Sequence, residues 1–61
     1  MKWERMTLRD RIAARIYVAM VYQSTEPIIY VVDAWQTAGK ISRKKCRSLA
    51  DRILIETEVK P

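Results

Sequence analysis

Five cations near the middle of the chain are the residues best suited to bind another molecule. Lys40, Arg43, Lys44, Lys45 and Arg47 fall within eight residues that contain no acid. Such a cluster predicts docking onto a phosphate backbone or an acidic protein surface, because each cation can neutralise an anionic group. The alternative is a solvated polar face that keeps an apolar chain in solution, and the sequence leaves both interpretations open.

Side chains that usually carry catalysis are scarce. The chain has no His and a single Cys, Cys46, which argues against standard transition-metal sites and His-activated nucleophiles. The acids Asp10, Glu26, Asp33 and Asp51 show no paired spacing that would prepare general acid–base catalysis. We therefore predict a protein that is not an enzyme and holds no metal or cofactor, with Cys46 in the core.

Size and composition predict one small domain, residues 1–61, that associates with itself. Apolar residues make up 49% of the 61 residues. A domain of this length buries only about 60% of the surface that its unfolded chain exposes, so a monomer cannot bury all of these side chains. The longest apolar run, Ile16–Tyr22, is far too short to span a bilayer, and no leader pattern precedes it. We expect a cytoplasmic homo-oligomer for which a membrane is an unlikely partner.

Periodicity and capping residues predict an all-α fold with helices at about 7–22, 27–38 and 42–55. Thr7 has the pattern of an N-cap for the first helix, with Asp10 three residues later. Ser42 is expected to cap the third helix, with Ile41 packing on Cys46 as a hydrophobic staple. Arg47 can reach Asp51 one turn later. We expect residues 1–5 and 57–61 to fray.

The second helix has a competing interpretation. An apolar stripe from Ile28 through Trp35 to Ala38 favours a helix with Trp35 in the core, and Gly39 is expected to end it in a left-handed conformation. However, residues 28–32 are β-branched or aromatic, so they also suit a strand paired with residues 16–22 as a hairpin. The stripe continues where strand propensity fades, which favours the helix.

The end of the first helix is apolar on every side and must be covered on more than one face. It is either a central core helix or the seam between two copies of the chain. The candidate oligomer contacts in this segment are Ile16, Tyr17, Met20, Val21 and Tyr22.

A helix, a Gly-containing turn and a basic helix invite comparison with a helix-turn-helix, in which the second helix enters the DNA major groove. The detailed fit is poor. With Ser42 as the cap the turn is one residue too long, and Trp35 stands where a small residue normally allows close packing. A DNA-binding regulator that uses the third helix is therefore the alternative function.

Two short terminal motifs resemble a group of proteins. Met6-Thr7-Leu8-Arg9-Asp10 at the start and Leu49-Ala50-Asp51-Arg52-Ile53-Leu54 near the end are similar to those of small uncharacterised helical proteins encoded by bacteriophages and prophages. The apolar middle and the basic cluster depart from that pattern. The resemblance implies a phage accessory protein that binds a host protein or nucleic acid in a bacterial cytoplasm, and it supplies no catalytic residue.

Overall fold

The computed structural model describes residues 2–59, with side chains given through Thr57, and this part of the chain is helical without any strand. A short 3₁₀ turn at Trp3–Arg5 precedes α1 (Leu8–Tyr22), α2 (Ile28–Thr37) and α3 (Lys40–Val59). The predicted all-α fold with three helices is therefore confirmed. The hairpin alternative is wrong, because residues 16–22 and 28–32 lie in helices.

The start of α1 forms as the sequence predicts. The hydroxyl of Thr7 accepts a hydrogen bond from the amide of Asp10 at 3.1 Å, which satisfies one of the free amides of the first turn. The other end has an unusual conformation. Gln23 ends the helix in the left-handed region at φ 54°, and its amide donates to the carbonyl of Ala19. A residue with a Cβ is strained in this conformation.

The connection between α2 and α3 corrects three expectations. No glycine in the described chain has a positive φ, so Gly39 is not a left-handed stop. It stands before the first residue of α3, and its carbonyl accepts from the amide of Arg43 at 3.0 Å. Ser42 therefore lies inside the helix and is not its N-cap. Ile41 is 84% exposed and forms no staple with Cys46.

Helical structure extends past the predicted helix bounds at both ends, and the fraying of residues 1–5 and 57–61 stays a prediction. Trp3–Arg5 form the 3₁₀ turn, and α3 continues to Val59 instead of ending near residue 55. Met1, Lys60 and Pro61 lie outside the described residues.

Small residues set the packing of the core. Ala13 and Ala14 of α1 and Ala50 of α3 are fully buried, so the backbones of these two helices approach closely, and α3 packs mainly along α1. Trp35 of α2 is also fully buried and is the largest core side chain. The remaining buried residues are Met6, Val18, Val31, Val32, Ala38 and Cys46. The core thus centres on the middle of α1.

Candidate functional site: a basic helix start and an open apolar end

Four of the five predicted cations form what we call the basic patch, Lys40, Arg43, Lys44 and Lys45, in the first two turns of α3. The three lysines are exposed and Arg43 is half-buried. The first amides of a helix have no partner within it and carry a partial positive charge. Cations at this position make the local electrostatic potential more positive. That potential destabilises the folded helix and favours binding of an anion.

The described side chains offer these four cations no ion pair. The ion pairs in this part of the chain are Arg9 with Asp51 and Arg47 with Asp10, each at 2.8 Å. The basic patch therefore presents charge that the rest of the described chain leaves uncompensated.

Arg47, the fifth predicted cation, has a different environment. Its guanidinium donates to both carboxylate oxygens of Asp10, at 2.8 and 3.4 Å, and lies 5.4 Å from the centre of the Trp35 ring. The hydrogen bond to Asp10 raises the pKa of Arg47. The expected pairing of Arg47 with Asp51 is wrong, since Asp51 is the partner of Arg9. Arg47 thus fastens α3 to α1.

The five predicted oligomer contacts divide into two groups. Ile16 and Tyr17 are half-buried against the core, and the Tyr17 ring meets Trp35 edge-on with centroids 6.3 Å apart. Met20, Val21 and Tyr22, which we call the apolar end of α1, are each more than half exposed. The described residues therefore leave this helix end largely uncovered, and the core-helix interpretation does not apply to it.

Trp3 contacts two arginines whose four-residue spacing places them on one face of α1, although that spacing does not predict their contact with Trp3. The guanidinium groups of Arg11 and Arg15 lie 5.6 and 5.3 Å from the centre of its ring. Arg11 also donates to the carbonyls of Trp3 and Glu4, both at 3.0 Å. These contacts fasten the 3₁₀ turn to α1. They depend on how the chain folds back, which leaves no periodic signal for sequence reasoning to find.

Two core residues were also candidates for chemistry. Cys46 is buried as predicted, and burial raises the pKa of its thiol, so the unreactive protonated form is favoured. Trp35 is in the core as predicted, yet its Nε1–H finds no hydrogen-bond partner among the described residues. An unsatisfied buried donor costs about 1–3 kcal/mol. Burial of the Trp35 ring therefore includes this cost, which offsets part of the free energy gained from its apolar surface.

Among the described residues there is no cluster of three or more His, Cys, Asp or Glu side chains that could hold a metal ion. No described helix combines the length and the apolar character needed to cross a membrane. Comparisons with protein-family models, with curated proteins and with solved structures found no match to this chain. A functional hypothesis must therefore rest on the chemistry of the two surfaces described above.

Proposed function

We propose that this chain is a small non-enzymatic binding protein, of the phage accessory kind, that docks on an acidic partner in the bacterial cytoplasm. The partner is a nucleic acid or an acidic host protein, and the basic patch makes the contact. One observation carries the proposal: four cations in the first two turns of α3 have no carboxylate partner within the described residues, whereas Arg47 beside them does.

Energetics support this division of the cations. Positive charges in the first turn of a helix cost roughly 0.3–1 kcal/mol each at low salt. Lys40 and Arg43, in the first turn of α3, therefore carry this cost, and an anionic partner would offset it. Contact with phosphates would also release counterions, so affinity should fall steeply as salt rises.

A salt titration tests the proposal. The full chain is titrated with a labelled random-sequence DNA duplex and, separately, with an acidic polypeptide such as polyglutamate, at several salt concentrations. We expect binding to at least one polyanion. Changing Lys40, Arg43, Lys44 and Lys45 together to Gln should reduce the salt slope for duplex DNA by about 4, since each lost phosphate contact removes about one unit.

The matched control changes four cations outside the basic patch, Lys2, Arg5, Arg52 and Lys60, to Gln. This variant loses the same net charge, so a patch-specific effect must leave its slope closer to that of the parent. No binding to either polyanion at low salt would reject the proposal. An equal loss of salt slope in both variants would show that net charge, and not the basic patch, determines binding.

A helix-turn-helix regulator is the second candidate. The turn gives it no support, because Ala38 and Gly39 alone separate the two helices, whereas this motif usually has a turn of three or four residues. The regulator is also disfavoured by packing, because α3 lies along α1 and makes little contact with α2, whereas a recognition helix is held by the helix before it. Selection of bound DNA from a random duplex pool decides between the two candidates. Enrichment of one sequence would support the regulator, and a pool without enrichment would support docking on the phosphate backbone.

A further inference from the structure

A groove of about 390 Å³ opens between the end of α1 and α2. Its lining includes the two aromatic rings of Tyr22 and Tyr30, the carboxylates of Glu26 and Asp33, and the small apolar side chains of Val18 and Ala34. Its volume lies at the lower end of the range for ligand pockets, roughly 300–1,000 Å³. We call this feature the acidic groove.

The chemistry of the acidic groove suits a cation. Neither Glu26 nor Asp33 is in an ion pair within the described side chains, and the hydroxyl of Ser24 donates to Glu26 at 2.9 Å. Tyrosine rings attract cations through their negative faces, and carboxylates form strong charge-assisted hydrogen bonds with ammonium and guanidinium groups. The chain has a net charge of +5, whereas the two carboxylates make this groove locally acidic.

We infer that the acidic groove is the docking site for the basic patch of a second copy of the chain. The chain itself carries the complementary group. Among the described side chains, the cations of the basic patch lack carboxylate partners just as the groove carboxylates lack cations. No described ion pair joins the two surfaces within one molecule. Both sets are therefore free to pair between molecules.

The positions of the two surfaces allow a closed dimer. The acidic groove extends to Thr37, the last residue of α2, and the basic patch begins at Lys40, the first residue of α3. Surfaces that adjoin in this way can each meet the other across a two-fold axis, so that both copies donate cations and both supply a groove. Two complementary contacts then form in one interface.

Apolar surface beside the groove would add to such a dimer. Tyr22 and Tyr30 line the groove and are 54% and 60% exposed. Removing this apolar surface from water stabilises the assembly. Repulsion between the two net charges is screened beyond about 8 Å at physiological salt, whereas contacts inside the groove are closer than that.

The inference does not rest on the proposed function, but the two share the basic patch. A dimer formed in this way covers the cations that an acidic partner would contact. Dimerisation and polyanion binding are therefore expected to compete.

Charge reversal tests the inference. One variant reverses the groove (Glu26→Lys with Asp33→Lys), and the other reverses the charge of the patch (Lys40→Glu, Lys44→Glu and Lys45→Glu, which leaves Arg43 as its one cation). By sedimentation equilibrium, the parent should dimerise at micromolar concentration, and each variant alone should dimerise at least tenfold more weakly. An equimolar mixture of the two variants should recover a dimer, because both of its groove-to-patch contacts are again between opposite charges.

Three results would overturn the inference: a strictly monomeric parent at 100 μM, variants that dimerise as the parent does, or a mixture that stays monomeric. Circular dichroism checks that each variant folds, and the conservative pair Glu26→Gln and Asp33→Asn replaces the first variant if it does not. The groove variants keep the basic patch intact, so they should still bind polyanions. Failure of the dimer is thereby distinguished from failure of the proposed function.

Discussion

The two halves of α1 differ in how well their apolar side chains are buried. The polar first half carries Arg9 and Asp10, yet Ala13 and Ala14 within it are fully buried. The second half, residues 16–22, is apolar throughout, yet its last three side chains are more than half exposed. The first, fastened half is covered because its alanines allow α3 to approach and because Arg9 and Asp10 find partners on α3. The second, open half buries Val18 but leaves its last residues exposed.

This difference suggests how to interpret charged and apolar side chains in so small a protein. A paired charge beside a buried alanine stabilises the fold, as Asp10 does with Arg47. An exposed apolar group or an unpaired cation contributes little to the stability of the monomer, which makes it a candidate contact for the proposed partners. Mutations at the two halves should therefore separate stability from association.

The largest effect is expected at Trp35, which contacts Tyr17 in the open half of α1 and Arg47, the partner of Asp10 in the fastened half. Trp35→Ala should lower the free energy of unfolding by about 3–5 kcal/mol, because it opens a large cavity in the core. Urea denaturation followed by circular dichroism measures the change. A loss below about 1 kcal/mol would show that the core does not depend on this ring.

Substitution of Arg47 tests how much its ion pair with Asp10 stabilises the fastened half of α1. Arg47→Ala should cost about 1–2 kcal/mol, the sum expected for a partly exposed ion pair and a cation–π contact. Its matched control is Lys44→Ala, one turn earlier on the same helix, which should change stability by less than about 0.5 kcal/mol. Equal effects of the two substitutions in urea denaturation would contradict the division between paired and unpaired cations.

Gln23 tests the end of the open half. Gln23→Gly should stabilise the fold by about 1 kcal/mol, because glycine adopts the left-handed conformation without the strain of a Cβ. Thermal unfolding measures the gain as a higher midpoint. The matched control is Ala19→Gly, at an exposed position one turn earlier in α1, which should destabilise by about 1 kcal/mol because the backbone there is helical. A lower midpoint for Gln23→Gly would contradict the strain argument.

The smallest effect on stability is expected at the apolar end of α1. Val21→Gln should leave the free energy of unfolding within about 0.5 kcal/mol of the parent, because the side chain is already 54% exposed. Ala14→Gln is the comparison in the fastened half and should destabilise strongly, since that position is fully buried. A large loss from Val21→Gln in urea denaturation would mean that the open half is packed in the monomer.

The sequence by itself determined the helices and much of the core. Thr7 caps α1 because its hydroxyl needs only the local amide of Asp10, and the stripe through Trp35 predicts burial because period 3.6 places those residues on one face. Local interactions of this kind are encoded within a few residues. The start of α3 was predicted wrongly because Gly39 and Ser42 are both acceptable caps, and local preference does not choose between them.

Tertiary structure decided which charges are used within the chain and which are left over. Arg47 lies in the same run of cations as Lys44 and Lys45, and only its position opposite Asp10 separates it from them. Likewise Glu26 and Asp33 share one groove with Tyr22 because α2 folds back onto α1. Asp10 and Arg47 are 37 residues apart along the chain. They meet because α1 and α3 pack together, and no local pattern in the sequence records that packing.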